Sequence, residues 1–340
     1  MSRSSSTREP LTLQVAVEKW PLRAPFHITG YTMTDLDAVV VTLGRNGHVG
    51  RGEAAGVYYL NDDAVSIVRR IEAVRSSIEA GIDRESLQRL LPAGGARNAI
   101  DCALWDLDAK CAGRPAWTLA GLDASKPLLT AHTIGAGTPE DMAAGARVYA
   151  KAKLLKLKLT GESLDAARIR AVRAERPDVS LAVDANQGFT PASLQSLMPA
   201  LSAARVILIE QPFPRGQDYL LDEVNIPIPI AADESAQSLS DIPQLVGRFD
   251  VVNIKLDKCG GLTEALAMAQ AALQNGLDVM VGNMMGTALA MAPAFLLGQL
   301  CKMVDLDGPL FLRSDRSPGL TYEDGHVWCP QSVWGDVECA

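Results

Sequence analysis

Residues 155–159 read Leu155-Lys156-Leu157-Lys158-Leu159. Side chains alternate along a β-strand, so both lysines share one side and the three leucines the other. On its own the stretch fits an exposed edge strand with solvated lysines. Its neighbours decide otherwise. Between residues 125 and 310 short apolar runs alternate with helical stretches. Strand candidates are 128–134, 155–159, 180–184, 206–210, 228–233, 250–255, 278–282 and 302–307, and 163–176 and 262–275 are helices among them. Such alternation implies parallel strands joined by right-handed crossovers. Eight units in about 190 residues suit a compact (β/α) barrel better than an open doubly wound sheet. No G-x-G-x-x-G opens the first unit. The fold class is therefore α/β, of the TIM-barrel kind. The outer side of a barrel strand meets helices and takes leucine, so Lys156 and Lys158 point inward.

The strand candidates share a second feature: they end in charge. After Lys156 and Lys158 come Asp184, Glu210, Asp233 and Lys255, and the eighth ends in Asp305-Leu306-Asp307. In a parallel barrel these ends lie on one face, where active sites assemble. Asp184, Glu210 and Asp233 converging there would repel one another unless a cation compensates them. Three oxygen ligands match hard Mg²⁺. Separate ion pairs with arginines are the plain structural alternative. Asn186 could orient a carboxylate, and Glu234 reads as a supporting or surface group.

Lys158 and Lys255 would face each other across an eight-stranded ring. A proton α to a carboxylate is barely acidic, and a divalent cation on that carboxylate stabilises the enediolate formed when it leaves. One lysine can remove the proton and the other return it with inversion. The lysine pKa must fall for this, and Lys156 and Mg²⁺ would push it down. Two lysines without a metal would suggest a Schiff-base aldolase, against which the three carboxylates argue.

Upstream, the first 120 residues read as α+β. Leu11–Val17 alternates as a strand, and Ala38–Leu43 is a second strand with Asn46-Gly47 as a hairpin turn. Residues 64–80 read as a helix with Val65, Val68, Ile71 and Val74 on its apolar face, and 99–110 as another, ended by Gly113-Arg114-Pro115. The chain has 340 residues, 48% hydrophobic and 21% charged, which is globular composition. Length suggests two domains, or one large α/β domain plus an appendage. Its net charge of −8, without a basic stripe, argues against nucleic acid as a partner. The six cysteines form no C-x-x-C pair and read as free thiols rather than a zinc cluster. MSRSSSTREP lacks the apolar core of a signal peptide, and the most apolar stretch, Ala288–Leu297, is far short of a membrane span. A soluble cytoplasmic enzyme is expected.

At this point a resemblance is specific. Gly52-Glu53-Ala54, Ala99–Leu107 (AIDCALWDL), Lys156-Leu157-Lys158, Val183-Asp184-Ala185-Asn186, Glu210-Gln211-Pro212, Ala232-Asp233-Glu234-Ser235 and Asn253-Ile254-Lys255 with Gly260-Gly261 resemble the enolase superfamily. Within it the chain is most similar to the dipeptide epimerases of the muconate-lactonizing-enzyme subgroup. The resemblance implies an α+β capping domain over residues 1–122. It implies a modified (β/α)₇β barrel over 123–319 and a tail, 320–340, returning to the cap. It implies one Mg²⁺ on Asp184, Glu210 and Asp233, and acid/base roles for Lys158 and Lys255. Lys156 would hold the substrate carboxylate, and Asp305 and Asp307 the α-ammonium of a dipeptide. Thr133, Tyr31 and Met285 are placed with the substrate-binding residues, and Met284 and Thr287 beside Met285. By resemblance the protein assembles as a homo-oligomer.

One departure matters. Family members that epimerise Ala-Glu are expected to carry an Arg on the first capping loop, which here reads FHITGYTMTD over residues 26–35. It offers His27, Tyr31 and Met33 but no Arg or Lys; Arg23 just precedes it, separated by Pro25. The expected substrate is thus an L-Ala-L-Xaa dipeptide whose second residue is uncharged. Other enzymes of the subgroup, namely N-acylamino acid racemase, o-succinylbenzoate synthase and cycloisomerase, use the same metal and lysines. Only Asp305 and Asp307 speak against them, since a paired Asp has no ammonium to meet there. A barrel kept only for binding would show a broken constellation, and none is broken here.

Overall fold

The computed structural model describes residues 9–28 and 31–337, and of residues 27, 28 and 31 the backbone alone. Strands β1 (Thr12–Ile28), β2 (Tyr31–Arg45) and β3 (His48–Ala54) form an antiparallel sheet in that order. The β2–β3 turn is Asn46-Gly47, both left-handed at φ 52° and 83°, as the hairpin reading required. Helix Gly95–Ala112 lies on this sheet at close range. A Cβ on Gly50 would stand 2.2 Å from the Ala103 carbonyl oxygen, and one on Gly52 2.2 Å from that of Ala99. Glycine at both positions lets strand and helix backbones meet.

The stretch expected as one helix over 64–80 is two, Ala64–Ala73 and Arg75–Glu79, broken at Val74. The buried face is also different. Ile67, Ile71 and Ile78 are buried, while Val65 is 76% exposed. Two apolar stripes coexist here, and the isoleucine stripe meets the sheet. Periodicity alone does not choose between adjacent stripes.

The run expected as one strand over 128–134 splits. β4 (Leu128–Leu129) joins an antiparallel sheet with β13 (Thr321–Glu323) and β14 (His326–Trp328), while β5 (His132–Ile134) starts the barrel. β6 (Leu154–Lys158), β7 (Ser180–Asp184), β8 (Val206–Glu210), β9 (Ile230–Ala232), β10 (Val251–Ile254), β11 (Asp278–Val281) and β12 (Met303–Val304) follow in sequence order. All pair in parallel. The Ala131 N–H donates to the Val304 carbonyl at 2.8 Å and closes the ring. The architecture is a modified TIM barrel beside an α+β unit.

Two apolar layers position the site. Leu155, Leu157 and Leu159, fully buried, face outward into the main core with Ile169 and Val172 of the following helix. Each such leucine contributes about 1.5–3 kcal/mol by burial. Inside, Ala131, Leu154, Ala182, Leu208, Ala231, Val251 and Met280 fill the lower barrel. The next inward positions up are Lys156, Asp184, Glu210, Asp233 and Asn253. An apolar plug thus sits beneath a polar mouth. The tail returns to the first unit: the Trp334 indole N–H donates to the Arg51 and Cys102 carbonyls at 3.0 and 3.1 Å, and Gly335 N–H to Asp106 Oδ1 at 2.8 Å.

Candidate active site

Strand register brings the expected residues together. Lys158 on β6 pairs with Asp184 on β7, which pairs with Glu210 on β8. Asp233 follows β9 and Lys255 follows β10. With β7, β8 and β9 between them, Lys158 and Lys255 stand four strands apart in a ring of eight. All five residues and Lys156 are buried, at most 8% exposed.

The three carboxylates do form ion pairs, but with lysines rather than arginines and as one linked network, with Lys156 shared by Asp184 and Glu210. Lys158 Nζ lies 2.5 Å from Asp184 Oδ2, and Lys255 Nζ 2.7 Å from Asp233 Oδ2. Lys156 Nζ lies 3.3 Å from Glu210 Oε2, 3.6 Å from Asp184 Oδ2, and in direct contact with Asp305. Lys258, which the sequence reading missed, is wholly buried. Its Nζ donates to Asp233 Oδ1 at 2.6 Å and to the Asn253 carbonyl at 3.0 Å. Asn253 Nδ2 in turn donates to Glu210 Oε1 at 2.8 Å. The Lys255-x-x-Lys258 spacing, opening a short helix over the strand end, was the available signal.

These contacts set the electrostatics. Burial works against the charge on Lys255, but Asp233 and Glu210 overcome it and raise its pKa. Burial likewise opposes the charge on Lys156, and Asp305, Glu210 and Asp184 raise it well above the ordinary value. These are the directions set by the protein's own groups; the fall expected of a catalytic lysine belongs to the site with Mg²⁺ bound. Carboxylates in direct contact outweigh the repulsion between lysines. Burial disfavours the Asp233 carboxylate, yet Lys255 and Lys258 hold its pKa below the ordinary range. Glu210 moves up, through burial and the charge of Asp184.

Among the described residues, no group of three is already gathered as a metal site. The donor set nevertheless suits a hard divalent cation, because every acceptor is oxygen. Buried acceptors without a partner are also present: Asn186 Oδ1, Glu234 Oε2 and Asn253 Oδ1. Glu234 is not a surface group. It is 2% exposed and lines the cavity, and burial with the charges of Asp233 and Asp184 pushes its pKa up to about 8. Asn186 orients Asp184 through its backbone N–H, 2.9 Å from Oδ1, and not through its side chain.

Asp305 and Asp307 lie just past β12 and line the same cavity. Asp307 precedes a 3₁₀ turn at Gly308–Phe311 but its side chain makes no capping bond, so turn capping does not explain it. Its Oδ2 accepts the Thr133 N–H at 2.6 Å. Burial and the charge of Asp305 push its pKa up to about 7.

The cavity, ≈ 240 Å³, is walled on the cap side by Phe26, Met33, Leu36, Tyr58 and Tyr59, and on the barrel side by Met285 and Phe311. Thr133, Met284 and Met285 line it as expected, while the side chain of Tyr31 lies outside the described residues. Thr287 does not. It is buried, donating from its backbone N–H at 2.8 Å and from its hydroxyl to Glu53, which also pairs with Arg316 at 2.9 Å. Tyr58 and Tyr59 were missed. Two adjacent tyrosines just beyond Gly52-Glu53-Ala54, in a chain with 5% aromatics, were the signal. Arg23 lines a different cavity.

With this geometry in place, comparisons with known proteins decide the family. Residues 141–333 match the enolase C-terminal domain-like model, and residues 11–121 the mandelate racemase/muconate lactonizing enzyme N-terminal domain. The chain belongs to the enolase superfamily. It is 40% identical over 318 residues to the L-Ala-D/L-Glu epimerase of Escherichia coli K12, covering 93% of this chain and 99% of that one. It is 39% identical over 300 residues to an N-acetyl-D-glutamate racemase of a Pseudoalteromonas species, covering 87% and 95%. A crystal structure from Agrobacterium tumefaciens, an enolase family member with homology to dipeptide epimerases, holds sodium and L-Ala-L-Glu. It superposes with a TM-score of 0.93 at 41% identity, covering 96% of this chain and all of that one. Within the superfamily the chain groups with the dipeptide epimerases and is an isomerase of the racemase and epimerase class. No helix among the described residues is long and apolar enough to cross a membrane.

Proposed function

We propose that the protein is a Mg²⁺-dependent dipeptide epimerase that inverts the α-carbon of the C-terminal residue. One observation carries this reading: Lys158 and Lys255 stand four strands apart with Asp184, Glu210 and Asp233 on the strands between them. A substrate α-carbon above those carboxylates has one lysine on each face. Asp184, Glu210 and Asp233 would hold the cation. Bound there, it would supply Lewis-acid stabilisation of the charge that develops on the substrate carboxylate. Lys158 takes the α-proton from one epimer while protonated Lys255 delivers its own proton to the opposite face, and the roles exchange for the other epimer. Asp184 and Asp233, once engaged with the cation, would release Lys158 and Lys255 from their ion pairs. Lys156 orients the substrate carboxylate. Asp305 and Asp307 receive the α-ammonium as charge-assisted acceptors. The cap wall excludes water.

The second residue of the dipeptide is uncharged in this reading. Among the described residues, the cavity's lysines are those at its floor, and the cap wall offers aromatic and apolar side chains beside Asp35 and Asp37. A carboxylate side chain finds no cation there. Incubating dipeptides with Mg²⁺ in D₂O tests both parts. Deuterium should enter the α-carbon of the C-terminal residue with inversion, faster for L-Ala-L-Leu or L-Ala-L-Phe than for L-Ala-L-Glu. No exchange in any dipeptide sinks the epimerase; a large preference for L-Ala-L-Glu sinks the apolar second residue.

The N-acetylglutamate-racemising relative and the contact between Asp305 and Lys156 favour a second reading, an N-acylamino acid racemase with no ammonium to bind. Faster exchange in N-acetyl amino acids than in dipeptides would select it.

A further inference from the structure

A second cavity, ≈ 560 Å³, lies beyond the first. Phe26, Thr133 and Phe311 line both, so the two share a wall. That wall is the Phe26–Phe311 ring pair, centroids 4.7 Å apart, together with the backbone of β5. The Thr133 N–H that Asp307 accepts lies in the same wall. An ammonium held by Asp305 and Asp307 therefore sits where the two cavities meet. The chain of a dipeptide divides at that point. Its C-terminal residue is over the lysines, and the side chain of its N-terminal residue is left to point elsewhere.

The second cavity carries a cationic side chain. Arg23 is the one lysine or arginine that lines it among the described residues. Its Nε donates to the Leu312 carbonyl at 2.7 Å, which anchors the guanidinium to the segment behind Phe311. Among the described residues its two terminal nitrogens have no acceptor and no carboxylate pairs with it. Its charge reaches Tyr149 on the same wall. Asp141 also lines the cavity, but its Oδ2 is taken by the Thr138 hydroxyl at 2.8 Å. Phe26 and Phe311 suit an aliphatic stem, and the guanidinium suits a carboxylate at its end.

We propose that this cavity receives the N-terminal side chain of the dipeptide and that Arg23 selects there for a carboxylate, making L-Glu-L-Xaa a substrate class of the site. The inference rests on the dipeptide epimerase reading and extends it. Arg23, which just precedes the capping loop, then reads the first residue of the substrate and not the second.

The test is a comparison of kcat/KM for L-Glu-L-Leu and L-Gln-L-Leu, which differ by one charge. The Mg²⁺-loaded full chain should prefer L-Glu-L-Leu by about fivefold, the scale of an exposed ion pair. Arg23→Gln should bring the ratio close to one, Arg23→Lys should keep part of it, and Arg23→Glu should move the preference to L-Lys-L-Leu. A wild-type ratio near one overturns the proposal while leaving epimerase activity intact. So does an equal fall for all substrates in the Arg23 variants, since that marks a purely structural bond to Leu312. Absence of turnover for every dipeptide, L-Ala-L-Leu included, removes the underlying reading and this one with it.

Discussion

Lys156 on β6 and Asp305 just past β12 form a direct ion pair, both almost fully buried. One charge of the proposed ammonium receptor is thus already neutralised by a lysine of the site. Asp305→Asn keeps the shape and removes the charge. We expect kcat/KM for dipeptides to fall roughly 10²-fold, as for a lost hydrogen bond to a charged group worth about 2–3 kcal/mol. Exchange in an N-acetyl amino acid should fall much less. Equal losses in steady-state assays of both substrate types would show that Asp305 serves only to hold Lys156.

Lys258 and Lys255 grip opposite oxygens of Asp233. Lys258→Met leaves the buried carboxylate with one partner, and breaking a buried pair costs about 3–5 kcal/mol. We expect a lower Tm in EDTA and partial recovery on adding Mg²⁺, because a ligand that binds only the folded state stabilises it. A Tm unchanged from wild type in EDTA would remove the structural role assigned to Lys258.

Asp257 ties the cap to the barrel. Its Oδ1 accepts the backbone N–H groups of Ala55 and Gly56 at 3.0 and 2.9 Å. Burial, with the charge of Asp62, pushes its pKa up to about 7 against those hydrogen bonds. The native state therefore keeps the proton that an unfolded aspartate loses near pH 3.9. The contribution of Asp257 to stability is greatest in acid and declines as pH rises between those two values, then levels. Asp257→Asn should flatten that part of the Tm-versus-pH curve relative to wild type. Parallel curves over this window would contradict the assignment.

Glu53 makes the other tie, to Thr287 and Arg316. It is 1% exposed, and burial raises its pKa despite Arg316. Glu53→Ala strips partners from a half-buried arginine and a buried threonine. We expect a loss of about 3–5 kcal/mol, the range for a broken buried pair, read as a shift in the denaturant midpoint. A shift under about 1 kcal/mol would place Glu53 with ordinary surface ion pairs.

What the sequence settled by itself is whatever depends on local periodicity. Alternation in Leu155–Leu159 put the lysines inside and the leucines outside, because a pleated strand leaves no other choice once helices cover one face. Recurrence of strand and helix favoured a parallel barrel over an open sheet, and a parallel barrel gathers strand ends on one face, so Asp184, Glu210, Asp233 and Lys255 were legible as one site. The tertiary structure decided what depends on distance. Which carboxylates touch Lys156 and Lys255 sets the upward direction that the protein's own groups give their pKa. Lys258, Tyr58 and Tyr59 carry only weak sequence signals, and their place at the site follows from the helix after β10 and the cap loop folding over the mouth. The division of 128–134 between two sheets, and the placement of Arg23 behind the Phe26–Phe311 pair, came from packing between segments nearly 200 residues or more apart. Periodicity carries no information about such contacts, since it describes each segment against an unspecified partner.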